Sequence, residues 1–124
     1  MNGQTPISLA ANNGHADVVG LLMELGADIQ KEDIWGQTPL HRAAANGRVE
    51  VVRRLGMGGA DLNRVNQYGR TPLYYAAANG KREVVALLLE LGADSAKADN
   101  EGQTPLDVAR DDEIKRLLQS PSCI

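Results

Sequence analysis

Residues 36–47 read Gly36-Gln37-Thr38-Pro39-Leu40-His41-Arg42-Ala43-Ala44-Ala45-Asn46-Gly47, and this stretch decides the fold because much of it returns. Thr-Pro occurs at 5–6, 38–39, 71–72 and 104–105, a constant spacing of 33. Gly69-Arg70-Thr71-Pro72-Leu73 and Gly102-Gln103-Thr104-Pro105-Leu106 match Gly36 to Leu40. Gly26-Ala27-Asp28, Gly59-Ala60-Asp61 and Gly92-Ala93-Asp94 keep the same period. Three registers repeating together point to an array of stacked units.

One unit can be read from local physics. Thr38 is an N-cap candidate, and Pro39 suits the first helical position, where its missing N–H costs nothing. From Pro39 to Asn46, helical spacing places Leu40, Ala43 and Ala44 on one face, and Gly47 ends the helix in a left-handed conformation. A second helix is expected from Glu83 to Leu91, with Val84, Val85, Leu88 and Leu89 inward and Gly92 at its end. The segment from Ala60 to Arg70, rich in Asp, Asn and Gly, reads as a turn or hairpin.

Two such short helices cannot bury their apolar faces alone, so the units must stack, giving an all-α solenoid of helix-turn-helix units joined by hairpin-like loops. The first helices offer Ala, the second Val and Leu. Small residues allow closer approach, so the stack is expected to curve with first helices and hairpins on the concave side.

The 33-residue period, with Thr-Pro-Leu-His at 38–41 and Ala43-Ala44 behind it, resembles the ankyrin repeat over nearly the whole chain. One domain, 1–124, is read as four units at about 1–32, 33–65, 66–98 and 99–120. Thr-Pro-Leu-His occurs in full only once, so the His-mediated hydrogen bonds that the resemblance implies are expected in the second unit alone. It further implies a non-catalytic protein-interaction module that binds a protein partner through hairpin tips and first helices. By position these are Ile34, Trp35 and Gln37; Gln67, Tyr68 and Arg70; Asn100, Glu101 and Gln103; and, on the first helices, Asn46 and Asn79. An adaptor or an enzyme inhibitor fits that role, and the alternative class is an engineered or structural scaffold with no natural partner. Trp35, with Tyr68 one unit later, reads as a binding anchor. Its alternative is a ring lying flat on the neighbouring hairpin. Asn63 resembles the hairpin asparagine that hydroxylases modify in some ankyrin proteins; its other role is a turn residue bonding to its own backbone.

Composition narrows the function classes. Hydrophobic residues make up 43 % and aromatics 3 %, with no Phe, which suits a folded domain with a core of Ala, Val and Leu. The single cysteine, Cys123, excludes an internal disulfide, and no Cys/His spacing suits a metal; no cofactor is expected. No membrane span and no signal peptide are read, so an intracellular setting, cytoplasmic or nuclear, is expected. The net charge of −3 divides into −3, +2, +1 and −3 over the four segments 1–32, 33–65, 66–98 and 99–124. That field steers a partner but is too weak for nucleic acid. His15 and His41 read as structural residues, Gly56-Met57-Gly58-Gly59 lacks the context of a phosphate loop, and Asp111-Asp112-Glu113 reads as a helix start. An enzyme is the least favoured class, and a monomer is favoured over an oligomer.

The ends and one unit depart from the pattern. The fourth unit is three residues shorter between its helices and carries the polar surface of an end-cap. Met1 stands almost at the start of the first unit with no such cap before it: either the array continues, or this unit caps itself. In the second unit Arg54 and Gly56 stand where the first and third have Leu21 and Leu87, Met23 and Leu89. A shortened or mobile helix end is expected there, with Met57 turning in to fill the gap. Ser122-Cys123-Ile124 resembles a ligand of PDZ domains.

Overall fold

A computed structural model describes residues 3–119; Cys123 and the Ser122-Cys123-Ile124 end lie outside the described residues. Eight helices form four pairs: α1 (Pro6–Asn12) with α2 (Ala16–Glu24), α3 (Pro39–Ala45) with α4 (Val49–Met57), α5 (Pro72–Ala78) with α6 (Arg82–Glu90), and α7 (Pro105–Val108) with α8 (Asp112–Gln119). Each first helix packs on the next first helix and each second helix on the next second helix, giving two layers. The described residues contain no strand.

Each first helix starts where Thr-Pro places it. Thr5, Thr38, Thr71 and Thr104 are extended, and each hydroxyl oxygen accepts the N–H three residues on. After α3 the N–H groups of Gly47 and Arg48 donate to the carbonyls of Ala44 and Ala43, a closure that needs Gly47 at φ +72°. The paired alanines Ala10-Ala11, Ala43-Ala44 and Ala76-Ala77 are buried almost completely, which lets the first helices meet at close range. Val19, Val52, Leu55, Val85 and Leu88 fill the space between the layers at 0 % exposure.

Several details differ from the sequence reading. The second helix of the third unit spans Arg82–Glu90, and Leu87 rather than Leu89 is buried beside Val84, Val85 and Leu88. The expected shortening of α4 is absent: it has nine residues, as α2 and α6 do. The reason lies in neighbours that cover its glycines. A Cβ on Gly56 would meet Leu91 Cδ1 at 2.7 Å, and one on Gly58 would meet the end of the Met23 side chain. Met57 stays 74 % exposed, so it fills nothing. Arg54 replaces no buried residue of the first unit, since Leu21 is itself 54 % exposed, and its guanidinium faces Asp17.

His41 forms the bonds expected of the one full Thr-Pro-Leu-His. Its Nδ1 accepts the Thr38 N–H at 3.1 Å, and its Nε2–H donates to the Arg70 carbonyl at 2.9 Å, joining the second unit to the third. Burial pushes the imidazole below its usual 6.5, against the Arg70 carbonyl bond that favours the charged form, and so favours the neutral ring. In the fourth unit Asp107 supplies the reciprocal cap instead, its carboxylate accepting the Thr104 N–H.

Candidate functional site

The connections between units carry a second periodic device. Asp33, Asn66 and Asp99 stand 33 residues apart, and each is buried. The Oδ1 of Asp33 accepts the N–H groups of Trp35 and Gln37 at 2.9 and 3.0 Å. Asn66 does the same for Tyr68 and Arg70, and Asp99 for Glu101 and Gln103. The loop thus closes over its own side chain, with Gly36, Gly69 and Gly102 at positive φ. Gly69 has a second reason to lack a Cβ, because Asn100 backbone nitrogen stands 2.8 Å from where one would be.

Neighbouring tips are tied to each other. The Gln67 N–H donates to the Trp35 carbonyl at 2.9 Å, and the Asn100 N–H to the Tyr68 carbonyl at 3.0 Å. A row of three tips results, fixed within each loop and between loops.

On this row Ile34 is 61 % and Tyr68 45 % exposed. Trp35 is half-buried, with the Arg42 guanidinium 6.0 Å from its ring, and Arg42 pairs with the buried Asp33 carboxylate. Arg70 stands among three tyrosines, its guanidinium 5.2 Å from the Tyr68 ring, 4.9 Å from Tyr74 and 5.9 Å from Tyr75. The Tyr75 hydroxyl accepts from Asn66 Nδ2 at 2.7 Å. Arg70 Nε faces Asp99 Oδ2 at 3.5 Å. The Gln103 N–H, opposed by desolvation and helped by the Glu101 N–H, holds the Asp99 carboxyl below its usual range. Burial raises the Tyr74 hydroxyl above its ordinary value. Tyr68, Arg70, Asp99, Asn100 and Glu101 line an open hollow of about 390 Å³.

Of the residues proposed from sequence, the structure gathers Ile34, Trp35, Gln37, Gln67, Tyr68, Arg70, Asn100, Glu101 and Gln103 on these tips. Asn46 and Asn79 stand apart, at the far ends of α3 and α5, about 10 Å along the helix. Their amides are engaged: Asn46 Nδ2 donates to Asn12 Oδ1 at 2.7 Å and Asn79 Nδ2 to the Ala45 carbonyl at 3.0 Å. Asn63 also ties units together, its Oδ1 accepting the Asp94 N–H at 2.7 Å, while in its own turn its backbone N–H donates to Asp61 Oδ1 at 3.0 Å. Sequence reasoning missed Asp33, Asn66 and Asp99, though their signal was present as Asp/Asn-x-x-Gly recurring at 33 residues. It also missed Arg42 and Tyr74, whose place on the row depends on packing.

The chemistry of this surface is stacking, ion pairing and hydrogen bonding. Both ring nitrogens of His41 are engaged in structural bonds. Among the described residues no group of His, Cys, Asp or Glu has the geometry to hold a metal ion, and no helix is long and apolar enough to cross a membrane.

A family model described as ankyrin repeats (3 copies) matches residues 1–66 and again residues 54–122. No curated protein matches the chain.

Proposed function

The chain belongs to the ankyrin-repeat family, whose members are generally protein-interaction modules and typically non-catalytic, and from that premise we propose that it holds a protein partner on the row of hairpin tips. The observation that carries this reading is the pinned row itself. Ile34 and Tyr68 stand exposed on loops held by buried Asp33 and Asn66 and by bonds between tips, so a partner meets apolar and aromatic area already ordered. Pre-ordering lowers the entropic cost of association, and Tyr and Arg are favoured interface anchors. The first helices pack on each other more extensively than the second helices do, which supports a stack concave on the tip side. An adaptor or an inhibitor working inside the cell as a monomer is the form of the proposal that the ankyrin fold favours, since both act by occupying a partner's surface.

The test compares affinity capture from lysate by the native chain, an Ile34→Ala/Tyr68→Ala variant and a Leu25→Ala/Met57→Ala control at the far ends of α2 and α4. The expected result is a protein retained by the native chain and the control and lost by the tip variant. Retention by all three would move the binding face away from the tips.

A further inference from the structure

The first helices leave one face uncovered between the tips and the turns that lead into the second helices. Ala45, Tyr75, Ala78 and Val108, each half-buried, lie on this shelf. A first helix of seven residues is about 10 Å long, so the shelf is about as wide as one α-helix with its side chains. Between the third and fourth units it deepens into a hollow of about 470 Å³. That hollow runs from Gln103 at the tips over Tyr74, Ala78 and Val108 to Arg110 at the opposite edge.

The edge away from the tips is basic. Arg48, Lys81 and Arg110 each stand in the turn between the two helices of a unit. The Arg48 stem crosses Gly14, where a Cβ would meet its Cδ at 2.9 Å, and its Nε–H donates to the Asn12 carbonyl at 3.1 Å. The Lys81 stem crosses Gly47 in the same way, at 2.9 Å. Glycine at these places lets one cation per unit lie along the edge. Among the described residues none of the three cations has a carboxylate within ion-pair distance. Of the acids nearby, Asp111 pairs with Arg82 at 2.7 Å and Glu50 with Arg53 at 3.3 Å. Glu83 stands on α6 at the register position of Glu50, which is on the outward side of its helix. On the shelf itself the acid is Asp107, whose carboxylate accepts the Thr104 N–H toward the tips.

We propose that the partner held on the hairpin row presents an acidic amphipathic α-helix, laid across the units on this shelf. Its apolar flank meets exposed Ile34 and Tyr68, and its carboxylates meet Arg48, Lys81 and Arg110. This rests on the reading that a partner occupies the tips, and it names that partner's chemistry. Spacing selects a helix over a strand. Packed helices lie about 8–10 Å apart, so one cation per unit recurs at about that distance. Carboxylates two turns apart on a helix stand about 10.5 Å from each other on one flank. In an extended segment, side chains of one face recur at about 6.7 and about 13 Å, so no register matches. Charge selects the sign, because a helix with lysines on that flank would set like charges against the edge.

The probes are three labelled peptides titrated with the full chain and read by fluorescence anisotropy. The first is a helix with Leu on one flank, Ala at its base and Glu at every seventh position of the other flank. The second carries Lys in place of those Glu residues, and the third is the Glu peptide broken by a central Pro. The Glu helix is expected to bind at least about tenfold more tightly than the Lys helix at low salt, with the ratio shrinking as salt rises. Arg48→Glu/Lys81→Glu/Arg110→Glu is expected to reverse that preference. The comparison of Glu and Lys helices on the native chain needs no variant to fold. No binding of the Glu helix, equal binding of the two, a preference that survives charge reversal, or equal binding of the Pro peptide overturns the proposal. Failure of the charge preference leaves partner capture by the tips standing. By contrast, Ile34→Ala/Tyr68→Ala without effect on the Glu helix and on lysate capture strikes the tip reading and this placement with it.

Discussion

Replacing His41 by Leu removes two buried bonds while nearly keeping the volume. The Thr38 N–H loses its acceptor at 3.1 Å, in a residue only 2 % exposed. The Arg70 carbonyl loses its donor at 2.9 Å, and with it a tie between the second and third units. Leaving a buried polar group unpaired costs about 1–3 kcal/mol. Arg70 is half-buried and its carbonyl regains some hydration, so the expected loss is about 2–4 kcal/mol, or a midpoint roughly 10 °C lower for a chain of this size. Urea unfolding followed by circular dichroism and by the fluorescence of the single Trp35 reads the change. Coincidence of the two probes decides whether one unfolding free energy describes the array. The pH dependence checks the cause. Because burial lowers the folded-state value of His41 below 6.5, the unfolded chain binds more protons as pH falls through 6.5 toward the folded value, and native stability declines there. His41→Leu lacks that term, so the gap between the two proteins narrows from pH 7.5 to 5.5. A variant within about 0.5 kcal/mol of the native chain at pH 7.5, or a gap that does not narrow, would refute the reasoning.

Two further perturbations follow from the tips and from α4. Asp99→Asn keeps an acceptor of the kind Asn66 already provides, so at pH 7 stability drops only modestly. The folded Asp99 carboxyl is held below its usual range, so its contribution is present above the ordinary value of 3.8 and is lost as pH falls through the lower folded value. Urea midpoints from pH 6 to pH 3 are therefore expected to fall less steeply in the variant; equal slopes would contradict this. Gly56→Ala brings a Cβ too close only to the terminal Cδ1 of half-buried Leu91, which can rotate away, with Leu62 Cδ2 at an ordinary contact distance of 3.7 Å, so the gain in helix propensity of about 0.5–1 kcal/mol wins. Slower amide exchange in the last turn of α4 is the expected sign, and a lower melting midpoint would show that Leu91 cannot yield.

The periodic text determined the helix pairs by itself, because each part of a unit is specified locally. Thr-Pro sets the start of a first helix through capping, Ala at helical spacing sets its buried face, and Gly47 closes it, none needing a distant partner. The tips were legible as a row because a constant spacing puts equivalent residues side by side. Tertiary structure decided what depends on neighbouring units. The sequence around Gly56 looks like a defect, yet Leu91 from the next unit covers it and α4 keeps its length. Trp35 is half-buried while Ile34 beside it is exposed, since Arg42 approaches the indole and pairs with Asp33. Val18 and Val51 read alike in sequence but differ in exposure by more than forty-fold, 45 % against 1 %. Burial is a property of the interface a residue faces, and only the assembled stack shows which interfaces are filled.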